Sequence, residues 1–318
     1  MTLKKIKQFL GKKHKKAIVF AHYIKYFSLK QPKQKQIIVC FDGLFPHGGL
    51  VDRLKGIVSF YQIAQVLGYD FKIIFNKPFE LSTFLQPHLV DWQMDANNLI
   101  LHPTKTKTMY LVNNFNVNPL KMIQNSKAKQ FYVYANIDYG KTIFTELNSQ
   151  QLENKWRNDF NQLFKKSKLL ETKLNAITTE QFIAFHSRFT TLMGDFKDTT
   201  TKFLSKDEQD ALCNNLVTII NRVKAEHNKN AFVFSDSINF INFAKQKAQV
   251  KSIKGYPFHM DNFNNNNNTD GHLKTLIDFF MIAKSDTVYF LNVKPMYNSS
   301  FSKYAAIVGQ ANFEVLEA

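Results

Sequence analysis

An apolar run, Ile37-Ile38-Val39-Cys40-Phe41, leads through a Gly-Gly loop into a helix-periodic segment, Leu50 to Leu67. This passage constrains the fold more than any other. Five consecutive apolar residues, several of them β-branched, read as a strand buried on both faces, the pattern of a parallel sheet. Gly68 stops the helix, and Phe71-Lys72-Ile73-Ile74-Phe75 supplies the next strand. The result is a βαβ unit with the right-handed crossover expected of parallel strands. The loop, His47-Gly48-Gly49 before Leu50-Val51-Asp52-Arg53, has two readings. It is a plain tight turn, or it offers unpaired N–H groups and the positive end of a helix dipole to an anion, with Asp52 and Arg53 in the first turn.

The alternation continues along the chain. Leu99 to His102, Met109 to Val112 and Phe131 to Ala135 read as strands, and Leu152 to Leu170 as one surface helix. It restarts with strands at Phe182 to Phe185, Ala231 to Phe234, Val250 to Ile253 and Thr287 to Leu291. Between and after them come helices within Ser205 to Glu226, Ile238 to Ala248, Gly271 to Lys284 and Ser302 to Val308. Ser205 with Glu208 three residues on is a capping-box pattern. A period that switches repeatedly between 2 and 3.6 predicts an α/β chain. The 318 residues suit two α/β domains, 36–175 and 176–318, behind an N-terminal segment, 1–35. The run Asn264 to Asn268 has no apolar face to bury and reads as a loop.

That N-terminal segment is unusual in charge. All eleven of its ionised residues are lysines, from Lys4 to Lys35, and the first acidic residue is Asp42. Over the whole chain 42 Lys and Arg face 25 Asp and Glu, a net charge of +17. Interleaved with the lysines are Ile6, Phe9, Leu10, Phe20, Tyr23, Tyr26, Phe27 and Leu29. The mixture fits a basic amphipathic element at an anionic membrane surface, a solvated arm, or a first helix packed on the core. Its apolar stretch is far shorter than the roughly 20 residues a span needs. Nucleic acid is disfavoured as a partner, because no zinc-finger spacing or RNA-binding aromatic pattern accompanies the charge. Cys40 and Cys213 read as small buried residues, which points to a cytoplasmic location, and the membrane-surface reading of residues 1–35 would make it peripheral at the inner face of the membrane.

Ligands of open parallel sheets sit beyond the carboxyl ends of the strands. Three such ends in the second half carry polar groups. His186-Ser187-Arg188 follows the first strand, and Arg188 offers a planar fork suited to a diphosphate. Ser235-Asp236-Ser237 follows the second, where Asp236 or Ser237 serves as an N-cap or meets a ribose or base. Ser299-Ser300-Phe301-Ser302 enters the last helix, as caps or as an anion site. No Asp-x-Asp occurs, so a metal held on the diphosphate by paired carboxylates is not expected, and no cofactor is called for.

These motifs, in this order, resemble the fucosyltransferase superfamily, which includes α1,2-, α1,6- and protein O-fucosyltransferases. His186-Ser187-Arg188 is similar to its His-x-Arg motif, Phe234-Ser235-Asp236-Ser237 to its Ser-Asp motif, and Ser299-Ser300-Phe301-Ser302 with Ala305 and Ala306 to its late serine motif. Gly48-Gly49-Leu50 with Arg53 resembles its N-terminal glycine loop. The chain carries Phe189 and Thr191 where many members have Arg and Asp.

The resemblance implies two Rossmann-like domains facing across a cleft (GT-B type), with 36–175 on the acceptor side and 176–318 on the donor side. It implies an inverting, metal-independent transfer, with GDP-fucose the favoured donor and a glycan or lipid-linked glycan the acceptor. Arg188 would stabilise the leaving diphosphate, and Asp52 or His47 would take the acceptor proton. His186, Ser300 and Ser302 would position the phosphates, Asp236 would contact the nucleoside, and Gly48, Gly49, Arg53, Ser235, Ser299 and Phe301 would line the donor. The alternatives are a transferase for another nucleotide-sugar, or a non-enzymatic basic module for nucleic acid or anionic membrane.

Overall fold

The computed structural model describes residues 3–94, 98–177, 180–198, 201–256, 258–261 and 269–317; the Asn264 to Asn268 run lies outside them. The chain forms two compact units, Met1–Lys165 and Lys166–Ala318.

The first unit begins with α1 (Leu3–Tyr23), followed by β1 (Gln36–Phe41), α2 (Leu50–Leu67), β2 (Asp70–Phe75), β3 (Leu85–Pro87), β4 (Thr106–Tyr110), α3 (Pro119–Gln124), β5 (Gln130–Tyr134), α4 (Gly140–Ile143) and α5 (Ser149–Leu163). Its main sheet has the order β2-β1-β5-β4 and every pairing is parallel. All six residues of β1 and all five of β5 are buried, as interior strands of a covered sheet must be. One core lies between α1 and the sheet: Val19 and Tyr23 join Ile38, Cys40, Tyr132 and Tyr134 there, and Tyr23 stacks on Tyr132 at 4.5 Å between ring centroids. The C-terminal end of α1 is therefore packed on the core.

The short strand β6 (Phe164–Lys166) ends at the boundary, and the second unit then runs through α6 (Lys168–Asn175), β7 (Phe182–Ser187), α7 (Lys206–Ala225), β8 (Asn230–Ser235), α8 (Ile238–Ala248), α9 (Thr269–Lys284), β9 (Thr287–Leu291), α10 (Phe301–Gly309) and β10 (Asn312–Leu316). Its sheet order is β10-β9-β7-β8, again parallel throughout. The capping box at Ser205 forms, with Glu208 accepting from the Ser205 amide at 2.8 Å. The apolar faces of α7 and α8 meet β7, β8 and β9 around Ile183, Phe185, Ile220, Phe240 and Leu291. α9 and α10 pack so closely that a Cβ on Gly309 would collide with the Ala283 carbonyl.

The α/β class and the parallel sheets agree with the sequence pattern, and three details differ. The expected helix from Leu152 to Leu170 divides, because Phe164 turns extended and Ser167 caps a new helix by accepting from the Leu170 amide. Leu99 to His102 and Val250 to Ile253 contribute only single bridges, Leu101 to Phe27 and Lys251 to Phe232. β10 is an additional strand whose residues are mostly solvent-facing, so it carries no apolar signature.

Candidate active site

At the carboxyl edge of the second sheet, β7 delivers Arg188 into a tight set of partners. Its Nη2 donates to Asp198 Oδ2 at 2.6 Å, its Nη1 lies 3.3 Å from Asp236 Oδ2, and the guanidinium sits 4.7 Å over the Phe196 ring. About a fifth of the side chain is open to solvent. Among the described residues its polar partners are these two carboxylates, so donors of the five-donor fork remain for a ligand.

Asp236 is turned inward. Its Oδ1 accepts from the Phe189 amide at 2.8 Å and its Oδ2 from the Thr190 amide at 2.7 Å. Thr190 has φ +58, a left-handed conformation that costs a β-branched residue on the order of 1–2 kcal/mol. Asp236 holds this strained turn and through it the aim of Arg188. Burial pushes its carboxyl up, while Arg188 and the two amides pull the other way. These bonds occupy both oxygens, where the sequence led us to expect a nucleoside contact. The neighbouring cap is Ser237, which accepts from the Phe240 amide at 3.1 Å and donates to Asp195 at 3.0 Å. Ser235 Oγ accepts from Ser187 at 3.0 Å and ties the ends of β7 and β8.

His186 is fully enclosed, with Nδ1 2.9 Å from Ser302 Oγ and the ring stacked on Phe290. Burial, with Arg188 nearby, pushes its pKa down to about 3, so it is a neutral hydrogen-bonding group. The Ser302 bond fastens the start of α10 to the end of β7. Ser299 Oγ accepts from the Phe301 amide at 3.2 Å, and Ser300, the N-cap residue, makes no side-chain cap bond. The Tyr297 amide donates to the Arg188 carbonyl at 3.1 Å, bringing the segment before α10 alongside the arginine. The structure thus unites His186, Arg188, Ser235, Asp236 and the Ser299 to Ser302 run.

The other predicted residues share one loop of the first unit. Gly48 has φ +85, and a Cβ there would collide with the Asp52 carboxylate; Gly49 is extended with open space around it. Asp52 Oδ2 accepts from the Gly49 amide at 3.3 Å, yet 42% of its side chain stays exposed. His47 and Arg53 are buried, against the expectation that both face a ligand. His47 donates from Nδ1 to the Phe45 carbonyl and stacks on Tyr134, and burial beside Arg53 pushes its pKa down to about 3, unsuited to a base near neutrality. Arg53 donates to the Gly48 carbonyl at 3.3 Å and lies against the rings of Phe41 and Phe75.

Two groups escaped the sequence reading. Asp198 grips Arg188, and the only hint was an acidic residue three positions after Asp195. At the end of β1, Asp42 Oδ2 accepts from Tyr134 at 2.6 Å and lies 3.3 Å from His22 Nε2. Among the described residues no group of three or more His, Cys, Asp or Glu converges as a metal site requires.

No protein-family model matches the chain, and no curated protein sequence does. Solved structures do. The NodZ alpha-1,6-fucosyltransferase co-crystallized with GDP superposes with a TM-score of 0.54 at 16% identity, covering 86% of this chain and 92% of that one. A mutant of Arabidopsis thaliana FUT1 in complex with GDP gives 0.57 at 11% identity, covering 93% of this chain and 73% of that one. The fold is that of the fucosyltransferases. Within this fucosyltransferase fold, the His-x-Arg, Ser-Asp and late serine segments come together at one edge of one sheet, through bonds between their own side chains and amides.

Proposed function

We propose that this protein is a glycosyltransferase that moves fucose from GDP-fucose to a hydroxyl of a glycan acceptor, with inversion at the anomeric carbon and without a metal ion. The observation that carries the reading is Arg188, a mostly sheltered guanidinium fixed by Asp198 and Asp236 at the end of the strand whose His186 is bonded to Ser302 in the first turn of α10. The fold it sits in is shared with two fucosyltransferases solved in complex with GDP. One guanidinium among two carboxylates is not a net cation. The diphosphate charge is therefore met jointly by the remaining guanidinium donors and by the positive end of α10.

The acceptor oxygen forms the new bond to the anomeric carbon as the bond to the diphosphate breaks, and its electron pair leaves on GDP. Arg188 stabilises the charge growing there, the electrostatic role that is often the largest catalytic contribution. His186 and Ser302 hold the start of α10, Asp236 positions Arg188, and the proton of the acceptor hydroxyl passes to a general base or to solvent. His47 and Arg53 support the glycine loop from below.

Calorimetric titration with GDP, UDP, CMP and ADP tests the donor. GDP should bind at least tenfold more tightly than the others, and Arg188→Ala should lower transfer from GDP-fucose by about 100-fold or more, the scale of losing one oxyanion-type donor. Equal binding of the four nucleotides, or near-normal transfer by the variant, would refute the reading.

A further inference from the structure

The lysine-rich first helix has two faces with opposite fates. Val19 and Tyr23 are in the core, and Lys15 Nζ donates to Tyr110 at 3.0 Å on the same side. Lys13, Ala17, Phe20 and Ile24 stand at i, i+4, i+7 and i+11, a single stripe, and all four are exposed. Phe20, Ile24 and Phe27 each leave about half their surface in water, and Leu29 about three quarters. A third of the large hydrophobics found exposed in the described residues thus fall within ten consecutive positions.

Their presentation is fixed. The Leu101 amide donates to the Tyr26 carbonyl at 2.9 Å and the Ser28 amide to the Leu101 carbonyl at 3.1 Å, so the backbone carrying Phe27 and Leu29 is pinned to the first unit. Around the apolar residues stand the exposed Lys13, Lys16, Lys25, Lys30 and Lys33. No acidic residue precedes Asp42, which is itself largely buried against His22 and Tyr134.

We propose that this face, Lys13 to Lys33, docks onto an anionic lipid bilayer. Phe20, Ile24, Phe27 and Leu29 enter the headgroup and acyl boundary, and the lysines meet lipid phosphates. An apolar stripe ringed by one sign of charge is the makeup of an interfacial element. No helix among the described residues is long and apolar enough to cross a membrane, so the attachment is in the plane of the surface. The occupant follows from charge complementarity: a lysine rim without carboxylates selects an anionic surface, and the exposed rings require one with an apolar interior. The proposal is independent of the donor site.

The test is co-sedimentation of the full chain with vesicles of phosphatidylcholine alone, or with about one third phosphatidylglycerol. Anionic vesicles should bind the protein and neutral ones at least tenfold less. The double variants Phe20→Ser/Phe27→Ser and Lys16→Glu/Lys25→Glu should each weaken anionic-vesicle binding about tenfold while melting like the parent protein. Three results would overturn the proposal. Vesicle binding could be unaffected by either variant. The serine variant could instead abolish a dimer seen by sedimentation velocity without vesicles, which would assign the face to a second copy. Or a polynucleotide could bind in a manner lost with the glutamates and kept with the serines, which would assign it to nucleic acid.

Discussion

Replacing Asp236 with asparagine should both destabilise the second unit and disarm Arg188. The carboxylate serves three donors: the Phe189 amide, the Thr190 amide and the Arg188 guanidinium. An asparagine has the same shape but only one acceptor oxygen. In its better orientation the oxygen keeps Thr190 and Arg188, and its NH2 then faces the buried Phe189 N–H. Leaving that donor unsatisfied costs about 1–3 kcal/mol. Losing the negative charge weakens the pairing with Arg188 but also relieves the burial that raises this carboxyl, and Arg188 keeps Asp198 and some solvent, so the charge itself adds little. The cost is therefore about 1–3 kcal/mol. For a unit of this size each kcal/mol lowers Tm by about 2–4 °C, so a fall of roughly 2–12 °C is expected.

Thermal and urea melts followed by circular dichroism read the stability, and calorimetric GDP titration reads the arginine. Adding Thr190→Gly should return about 1 kcal/mol of the turn's strain, because glycine adopts a positive φ without a Cβ clash. If Asp236→Asn melts within about 1 °C of the parent and binds GDP unchanged, the inward-facing role of Asp236 is wrong.

Two further outcomes follow from the structure. Gly48→Ala should cost about 1–3 kcal/mol in a urea melt, for its positive φ and its clash with Asp52, whereas Gly49→Ala should fold normally, its backbone being extended and its surroundings open. His47 and His186 hold pKa values of about 3, against 6.5 for an ordinary imidazole, so the stability they contribute is complete above 6.5 and drains away as pH falls toward 3. The slope is about 1.4 kcal/mol per pH unit for each ring, and His186→Asn should flatten the pH dependence of the unfolding free energy from urea melts by that amount.

The order of elements was legible because both sheets are parallel and covered, so their strands are short apolar runs such as Ile37 to Phe41 and Phe182 to Phe185. β10 was not, since an edge strand with mostly exposed residues shows neither an apolar run nor alternation. Within the site, the strand-end residues were legible by position and their roles were not. Position cannot say whether Asp236 turns toward a ligand or back to its own loop. Arg53 did leave a trace: it lies at i, i+4 and i+7 with Ile57 and Phe60, both buried, so the helix period already put it on the inner face. A guanidinium lying over a pair of adjoining phenyl rings is the physical means by which that face accepts a cation.

The contact of Gly309 with Ala283 bears on how donor preference can change. Helix α10 is fastened at both ends, by that contact at one and by the His186–Ser302 bond at the other. Under the proposed donor reading, a phosphate arriving at its first turn would meet groups that have already lost their freedom, so little ordering cost would fall on the binding step. The same rigidity makes the helix a poor place to retune selectivity, because any shift at Ser299 to Ser302 must be absorbed at Gly309. If α10 holds a donor phosphate as proposed, variation in the sugar or base accepted is expected instead in the irregular segment that leads into it, 292–298, where a side chain can be exchanged without moving the helix.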